Sequence, residues 1–133
     1  MTATRDLDAG ASSVPRAAAS AAAVGVVVIG RNEGERLKRC LTSVLRHARR
    51  IVYVDSGSTD GSVAWARDHG VEVIELDMSV PFTMARGRNA GWRHLVREGD
   101  ISLIQFVDGD CEVVEGWIET AVDTLEARPD VVA

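Results

Sequence analysis

The feature that most limits the folds open to this chain is the alternation of short apolar runs with segments of helical periodicity. The first run, Val24 to Ile29, is rich in β-branched residues and contains no polar side chain. Such a run is typical of a strand that is covered on both faces. In the next segment, apolar residues recur at helical spacing from Leu37 to Leu45. The pair predicts a buried strand followed by an amphipathic helix.

The same alternation continues along the chain. Further strands are predicted over residues 51–54, 71–76 and 101–107, and helices over 63–69, 83–97 and a segment around Trp117. This order favours an α/β fold with a mainly parallel sheet and helices on both faces. Two details are also expected. The tryptophans predicted to pack in the core are Trp65, Trp92 and Trp117, and the basic residues predicted in the last turn of the first helix are Arg46, His47, Arg49 and Arg50.

Length and charge exclude several classes of protein. The 133 residues suit one domain, and 46% hydrophobic with 26% charged residues is ordinary for a globular chain. A net charge of −5 argues against a general nucleic-acid binder, which usually carries a basic excess. Any anionic ligand would therefore need local positive charge.

The N-terminal region is expected to be a tail. Residues 1–22, rich in Ala and Ser, are predicted to be flexible and to precede one domain over residues 23–133. The apolar run 17–29 is similar to a signal-peptide core but is too short to span a membrane, and its second half supplies the first strand. We therefore expect a cytoplasmic protein. Cys40 and Cys111 lack the spacing of a zinc or redox pair and are expected to be thiols.

Polar clusters follow three of the predicted strands. They lie at residues 30–33, 55–58 and 108–110. In open α/β sheets, ligands bind beyond the carboxyl ends of the strands. The three clusters are therefore predicted to converge on one binding site.

Four motifs in chain order resemble family 2 of the glycosyltransferases, which have the GT-A fold. They are Val27–Glu33, Val54–Gly61, Ala85–Gly91 and Phe106–Asp110. The resemblance covers about residues 24 to 133 and implies a Rossmann-like half that binds the nucleotide sugar. It also implies that the acceptor half is truncated and that the general base lies beyond Ala133. Gly30 and Arg31 replace a family Pro and aromatic residue, and Ser56 replaces a frequent second acidic residue.

The resemblance implies a metal site on the Asp108-Gly109-Asp110 turn. Asp110 would ligate Mg²⁺ or Mn²⁺, and Asp108 would face the ribose or share the metal. Two carboxylates held close together repel each other, and a hard divalent cation with diphosphate oxygens removes that repulsion. The alternative is a polar turn that caps the last helix, because Asp and Gly are common turn residues.

The resemblance also implies nucleotide-sugar contacts. Asp55 would contact the nucleobase or ribose, and Arg86 and Arg88 would supply positive charge near the diphosphate. The remaining implied contacts are Gly30, Arg31, Asn32 and Glu33. The alternatives are helix capping for Asp55, Asn32 and Glu33, and solvated helix positions for the arginines.

The implied activity is metal-dependent, inverting transfer of a sugar from a nucleotide diphosphate, most simply a UDP-sugar, to a polysaccharide or lipid-linked glycan. The full-length protein would then act in the cytoplasm or at the inner face of the membrane. A non-catalytic nucleotide-sugar-binding fragment remains an alternative. A dinucleotide-binding oxidoreductase fits less well because the first turn lacks G-x-G-x-x-G. A haloacid-dehalogenase-like phosphatase needs its Asp-x-Asp on the first strand and a supporting lysine, whereas Lys38 is the only lysine.

Overall fold

The computed structural model describes residues 24–131, in which four strands alternate with four helices. The elements are β1 (Val24–Gly30), α1 (Glu35–Val44), β2 (Arg50–Asp55), α2 (Ser62–Asp68), β3 (Glu72–Glu75), α3 (Met84–Val96), β4 (Leu103–Asp108) and α4 (Trp117–Ala127). The predicted order of elements is confirmed. The tail predicted over residues 1–22 lies outside the described residues.

All strand pairs in the sheet are parallel, and the strand order is β3-β2-β1-β4. Gly30 at the end of β1 is in register with Asp55 of β2, and Ile29 is in register with Asp108 of β4. This register brings the carboxyl ends of three strands to the same edge. The predicted convergence of the polar clusters follows from it.

The central strand β1 is buried on both faces, which explains its unbroken apolar run. Val26 and Val28 pack in one core layer with α1, α2 and α4. Val27 and Ile29 point to the other layer, where Leu95 of α3 packs. Successive side chains of a strand alternate between faces, so both sets must be apolar. Helices therefore cover both faces, as predicted.

Helix α3 approaches the sheet closely at Gly91. A Cβ atom placed there would lie 2.4 Å from Val27 Cγ1 and 3.1 Å from Val54 Cγ2. Only glycine allows this approach without a shift of the helix or the strands. The position of α3, and of the loop before it, depends on this contact.

The expected basic last turn of the first helix is wrong. Helix α1 ends at Val44 with no basic residue in its last turn. The basic residues instead make tertiary ion pairs: Arg50 begins β2 and lies 2.7 Å from Glu72 Oε1, and His47 Nδ1 lies 2.6 Å from Glu119 Oε1. These partners are distant in sequence, so helical spacing could not reveal them.

The expected burial of two tryptophans is also wrong. Trp92 is 44% exposed and Trp117 is 53% exposed. Trp117 lies beside the edge strand β4 and donates from Nε1 to Gln105 Oε1 at 2.9 Å. Trp65 is partly buried against the core and stacks on His69.

Within residues 24–131, none of the helices has both the length and the apolar character needed to cross a membrane.

Candidate functional site

A pocket of about 330 Å³ opens at the carboxyl ends of β1, β2 and β4. Its lining consists of Ile29, Gly30, Arg31, Glu33, Ser56, Met78, Phe82, Met84, Asp108, Gly109 and Asp110. Five of the predicted site residues are therefore brought together. They are Gly30, Arg31, Glu33, Asp108 and Asp110.

The turn Asp108-Gly109-Asp110 after β4, which we call the acidic turn, contacts the end of β1. Gly109 N donates to Ile29 O at 2.8 Å, and Cys111 N donates to Asp108 O at 2.9 Å. A Cβ atom at Gly109 would lie 3.0 Å from Ile29 O, so a larger residue would push the turn away from β1. The tight turn holds Asp108 and Asp110 on the pocket wall, with the Asp110 side chain in an exposed position.

Asp108 has a cationic partner. Arg88 Nη2 donates to Asp108 Oδ1 at 3.0 Å, and both side chains are partly exposed. Arg88 does not line the pocket itself. Its charge therefore acts on the acidic turn, where it balances one of the two carboxylates.

Asn32 joins the loop after β1 to the loop after β2. It adopts a positive φ of 51°, a conformation that Asn tolerates better than most residues. Thr59 N donates to Asn32 Oδ1 at 2.7 Å, and Asn32 N donates to Ser58 Oγ at 2.8 Å. Gly34 N also donates to Asp60 Oδ2 at 2.9 Å. Asn32 thus fixes the two loops that form this side of the site.

Asp55 is only 2% exposed, and both of its oxygens accept hydrogen bonds from the protein. Tyr53 Oη donates to Oδ1 at 2.7 Å, and the amides of Gly57 and Ser58 donate to Oδ2 at 3.0 and 2.8 Å. Burial raises the pKa of the Tyr53 phenol well above its usual range, so the hydroxyl stays protonated and remains a donor. The Asp55 carboxylate therefore organises the β2 loop from within.

Asp60 hydrogen-bonds to the first residue of α2, whose N-cap residue is Gly61. Its Oδ1 accepts from Ser62 N at 3.0 Å and from Ser62 Oγ at 2.6 Å. The Ser62 hydroxyl bond is the main cause that lowers the pKa of the Asp60 carboxyl. Asp60 thus ties the β2 loop to the start of α2.

The two remaining cations of the site differ in their partners. Arg86 donates to two backbone carbonyls, Val80 O at 3.1 Å and Asp77 O at 2.8 Å. Arg31 lines the pocket and makes no side-chain hydrogen bond or ion pair with any part of the chain that the structure describes. Arg31 is therefore the arginine of the pocket wall whose guanidinium is open to an anion.

Comparison with known proteins decides the family. The model described as Glycosyl transferase family 2 matches residues 25–133. The chain belongs to glycosyl transferase family 2. The resemblance carried by its four motifs is confirmed.

Two curated proteins are similar to this family 2 chain. Glycosyltransferase AglE of Haloferax volcanii is 26% identical over 107 residues, which is 77% of this chain and 35% of AglE. A TPR repeat-containing protein of Synechococcus elongatus is 32% identical over 102 residues, which is 76% of this chain and 24% of that protein. The family 2 chain thus spans about a third and about a quarter of their lengths.

A solved structure shows the same fold. The crystal structure of S. aureus TarS matches with a TM-score of 0.63 at 18% identity, over 80% of this chain and 20% of TarS. The match confirms the predicted GT-A type of α/β fold for this family 2 chain.

The acidic turn of this family 2 chain fits one kind of metal site. Residues 24–131 contain no group of three or more His, Cys, Asp or Glu side chains that could hold a metal. Mg²⁺ and Mn²⁺ need only one or two carboxylates when diphosphate oxygens and water fill the other positions. Asp108 and Asp110 therefore fit a cation that binds together with a nucleotide diphosphate.

The sequence-based site prediction included Ser56 in one of its polar clusters but missed the four apolar side chains of the pocket wall, Ile29, Met78, Phe82 and Met84. Ser56 is buried, and its hydroxyl donates to Gly30 O at 3.1 Å. Met78 and Phe82 come from the segment between β3 and α3, and Met84 is the first residue of α3. The available signal was large apolar residues in a segment that otherwise has turn character.

Proposed function

We propose that this region binds the nucleotide-diphosphate sugar of a glycosyltransferase, most simply a UDP-sugar, together with Mg²⁺ or Mn²⁺. In this proposal the sugar is transferred to a polysaccharide or lipid-linked glycan with inversion, in the cytoplasm or at the inner face of the membrane. The observation that carries this proposal is that one pocket is lined by the two aspartates of the acidic turn and by Arg31, whose guanidinium has no partner among residues 24–131. Carboxylates can hold the cation, and the guanidinium can contact phosphate oxygens.

Each residue of the wall has a distinct part in the proposal. Asp110, whose carboxylate is exposed, is the main metal ligand, and Asp108 is the second. Arg31 contacts the diphosphate. When bound, the divalent cation would stabilise negative charge on the departing diphosphate. Gly30 and Glu33 line the pocket beside the turn. A Cβ atom added at Gly109 would lie 3.5 Å from Glu33 Cγ.

Three predicted contacts take supporting positions in this proposal. Asn32 and Asp55 shape the loops around the nucleotide through the hydrogen bonds described above. Arg88 balances the charge of Asp108 through their ion pair. The base that deprotonates the acceptor hydroxyl is assigned to no residue of the pocket wall.

Calorimetric titration of the 133-residue chain with UDP, GDP, CDP and ADP tests the proposal. We expect UDP to bind with Mn²⁺ present and to lose most of its affinity when the metal is chelated. Asp110→Asn should weaken binding in Mn²⁺ at least about tenfold. Asp123→Asn, an exposed change on α4, is the matched control and should bind like the wild type. Equal affinity with and without metal would contradict the metal role, and no binding of any nucleotide would contradict the donor site.

A further inference from the structure

The segment between β3 and α3 presents large apolar side chains at the rim of the pocket. Met78 is 40% exposed and Phe82 is 39% exposed, and both line the pocket. Single exposed apolar residues are ordinary on protein surfaces, but a cluster at the mouth of a pocket indicates contact with a ligand. We refer to residues 77–83 as the rim loop.

The rim loop has a defined conformation. Its first turn is closed by Asp77, whose Oδ1 accepts from Ser79 N at 2.9 Å and from Ser79 Oγ at 2.6 Å. Just before it, Leu76 N donates to Asp55 O at 2.9 Å and ties the loop to the end of β2. At its end, Thr83 caps α3 by accepting from Arg86 N at 3.0 Å. The loop is therefore anchored at both ends.

Arg86 anchors the middle of the rim loop. Its guanidinium bonds to the carbonyls of Asp77 and Val80 on one side of the loop. A planar guanidinium that donates to two carbonyls at once fixes their relative positions. Arg86 also does not line the pocket.

The apolar side chains of the rim loop have fixed neighbours. A Cβ atom at Gly57 would lie 3.3 Å from Met78 Cγ and 4.0 Å from Arg31 Nε. A Cβ atom at Gly87 would lie 3.4 Å from Phe82 Cε2. Met78 thus lies over the β2 loop beside Arg31, and Phe82 packs on the first turns of α3. Together they form an apolar wall in a pocket whose charged lining is Arg31, Glu33, Asp108 and Asp110.

We propose that Arg86 is a positioning residue that holds the rim loop, so that Met78 and Phe82 form an apolar wall against the flat face of the nucleobase. This inference rests on the proposed function and adds the part of the ligand that the wall contacts. Thioether and aromatic groups both pack favourably on planar rings. Arg86 therefore acts on the nucleoside end of the ligand, whereas Arg31 and the acidic turn act on the diphosphate.

Two probes, UDP and inorganic pyrophosphate, test the division in the presence of Mn²⁺. We expect Arg86→Ala and Met78→Ala each to weaken UDP binding about tenfold and to leave pyrophosphate binding within about twofold of the wild type. Arg93→Ala, an exposed change on the same helix, is the matched control and should alter neither affinity. Thermal unfolding shows whether each variant is folded. Met78→Ala leaves the Arg86 bonds intact, so it tests the wall even if Arg86→Ala unfolds.

A double-mutant cycle separates positioning from direct contact. If Arg86 acts through the wall, Arg86→Ala should have little further effect on UDP affinity once Met78 and Phe82 are both alanine. Equal weakening of UDP and pyrophosphate by Arg86→Ala would place Arg86 at the diphosphate and overturn the inference. Unchanged UDP binding in both Arg86→Ala and Met78→Ala would overturn it as well. A wild-type chain that binds neither probe would overturn the proposed function itself, which is a separate result.

Discussion

The Arg88 guanidinium lies 3.0 Å from Asp108 Oδ1, whereas the neighbouring carboxylate of Asp110 has no cationic partner in the described chain. The acidic turn is therefore asymmetric: one carboxylate is already balanced and the other is open. Within the proposed function, this asymmetry makes Asp110 the first ligand of an incoming cation. It also makes Arg88 a competitor for Asp108.

Arg88→Ala should strengthen the binding of Mn²⁺ alone, because the competing cation at Asp108 is removed. The pair is partly exposed, so the gain should be only about two- to fivefold. Calorimetry with Mn²⁺ and no nucleotide measures it, with Arg93→Ala as the control for loss of a helix arginine. Weaker Mn²⁺ binding in Arg88→Ala would show that Arg88 acts chiefly by orienting Asp108.

Gly91→Ala should destabilise the protein by about 1 to 3 kcal/mol, because its methyl group would overlap Val27 on β1. Gly87→Ala is the graded comparison, since its nearest contact would be Ile29 Cγ2 at 3.3 Å. We expect it to be much closer to neutral, since alanine also favours the helix. Urea unfolding measures both. If Gly91→Ala were as stable as the wild type, the close approach of α3 to the sheet would be in error.

Stability should decrease above pH 9 because of Cys40. Burial is the main cause that raises the pKa of the Cys40 thiol from 9.0 to about 12. Below pH 9 the thiol is protonated in the folded and unfolded states alike. Between these two values the unfolded chain ionises the thiol and the folded protein does not, so rising pH favours unfolding, by at most about 1.4 kcal/mol per pH unit.

Urea unfolding between pH 8 and about pH 11 checks this dependence. Cys40→Ala should flatten the pH profile whatever its effect on overall stability, because the difference between the two profiles reports the removed thiol, whereas Tyr53, whose pKa burial also raises, contributes to both profiles. Cys111→Ala removes an exposed thiol and should flatten it less. Identical profiles for the wild type and Cys40→Ala would contradict the prediction.

NAD and NADP should not bind at millimolar concentration. The turn after β1 lacks the glycine fingerprint that lets a pyrophosphate approach the backbone. A thermal-shift assay with both cofactors tests this, with UDP and Mn²⁺ as the positive comparison. A clear shift with either dinucleotide would revive the oxidoreductase alternative.

The parts of the fold that depend on local pattern could be predicted from the sequence. The β-branched run of β1 and the apolar spacing of α1 each report the faces that those elements bury. The acidic turn could be placed because the carboxyl ends of parallel strands share one edge. These inferences need only neighbouring residues and general rules of α/β sheets.

The partners of long or loop-borne side chains could not be predicted in this way. Sequence shows that Arg86 and Arg88 are cations on one helix, but it does not show that one bonds to carbonyls and the other to Asp108. The burial of Asp55 likewise depends on Tyr53 and on the path of the β2 loop. The exposure of Trp117 depends on its position beside the edge strand β4, which helical periodicity does not describe.

The central claim is that the acidic turn and Arg31 form one site for a metal-bound nucleotide. Amide NMR spectra of the 133-residue chain with UDP and trace Mn²⁺ test it most directly, because the paramagnetic ion broadens signals of nearby residues. The account predicts selective broadening at Gly30, Arg31, Gly109 and Cys111, with the amides of α4 unaffected. Broadening centred instead on the His47 and Glu119 pair, or no selective broadening at any site, would contradict it.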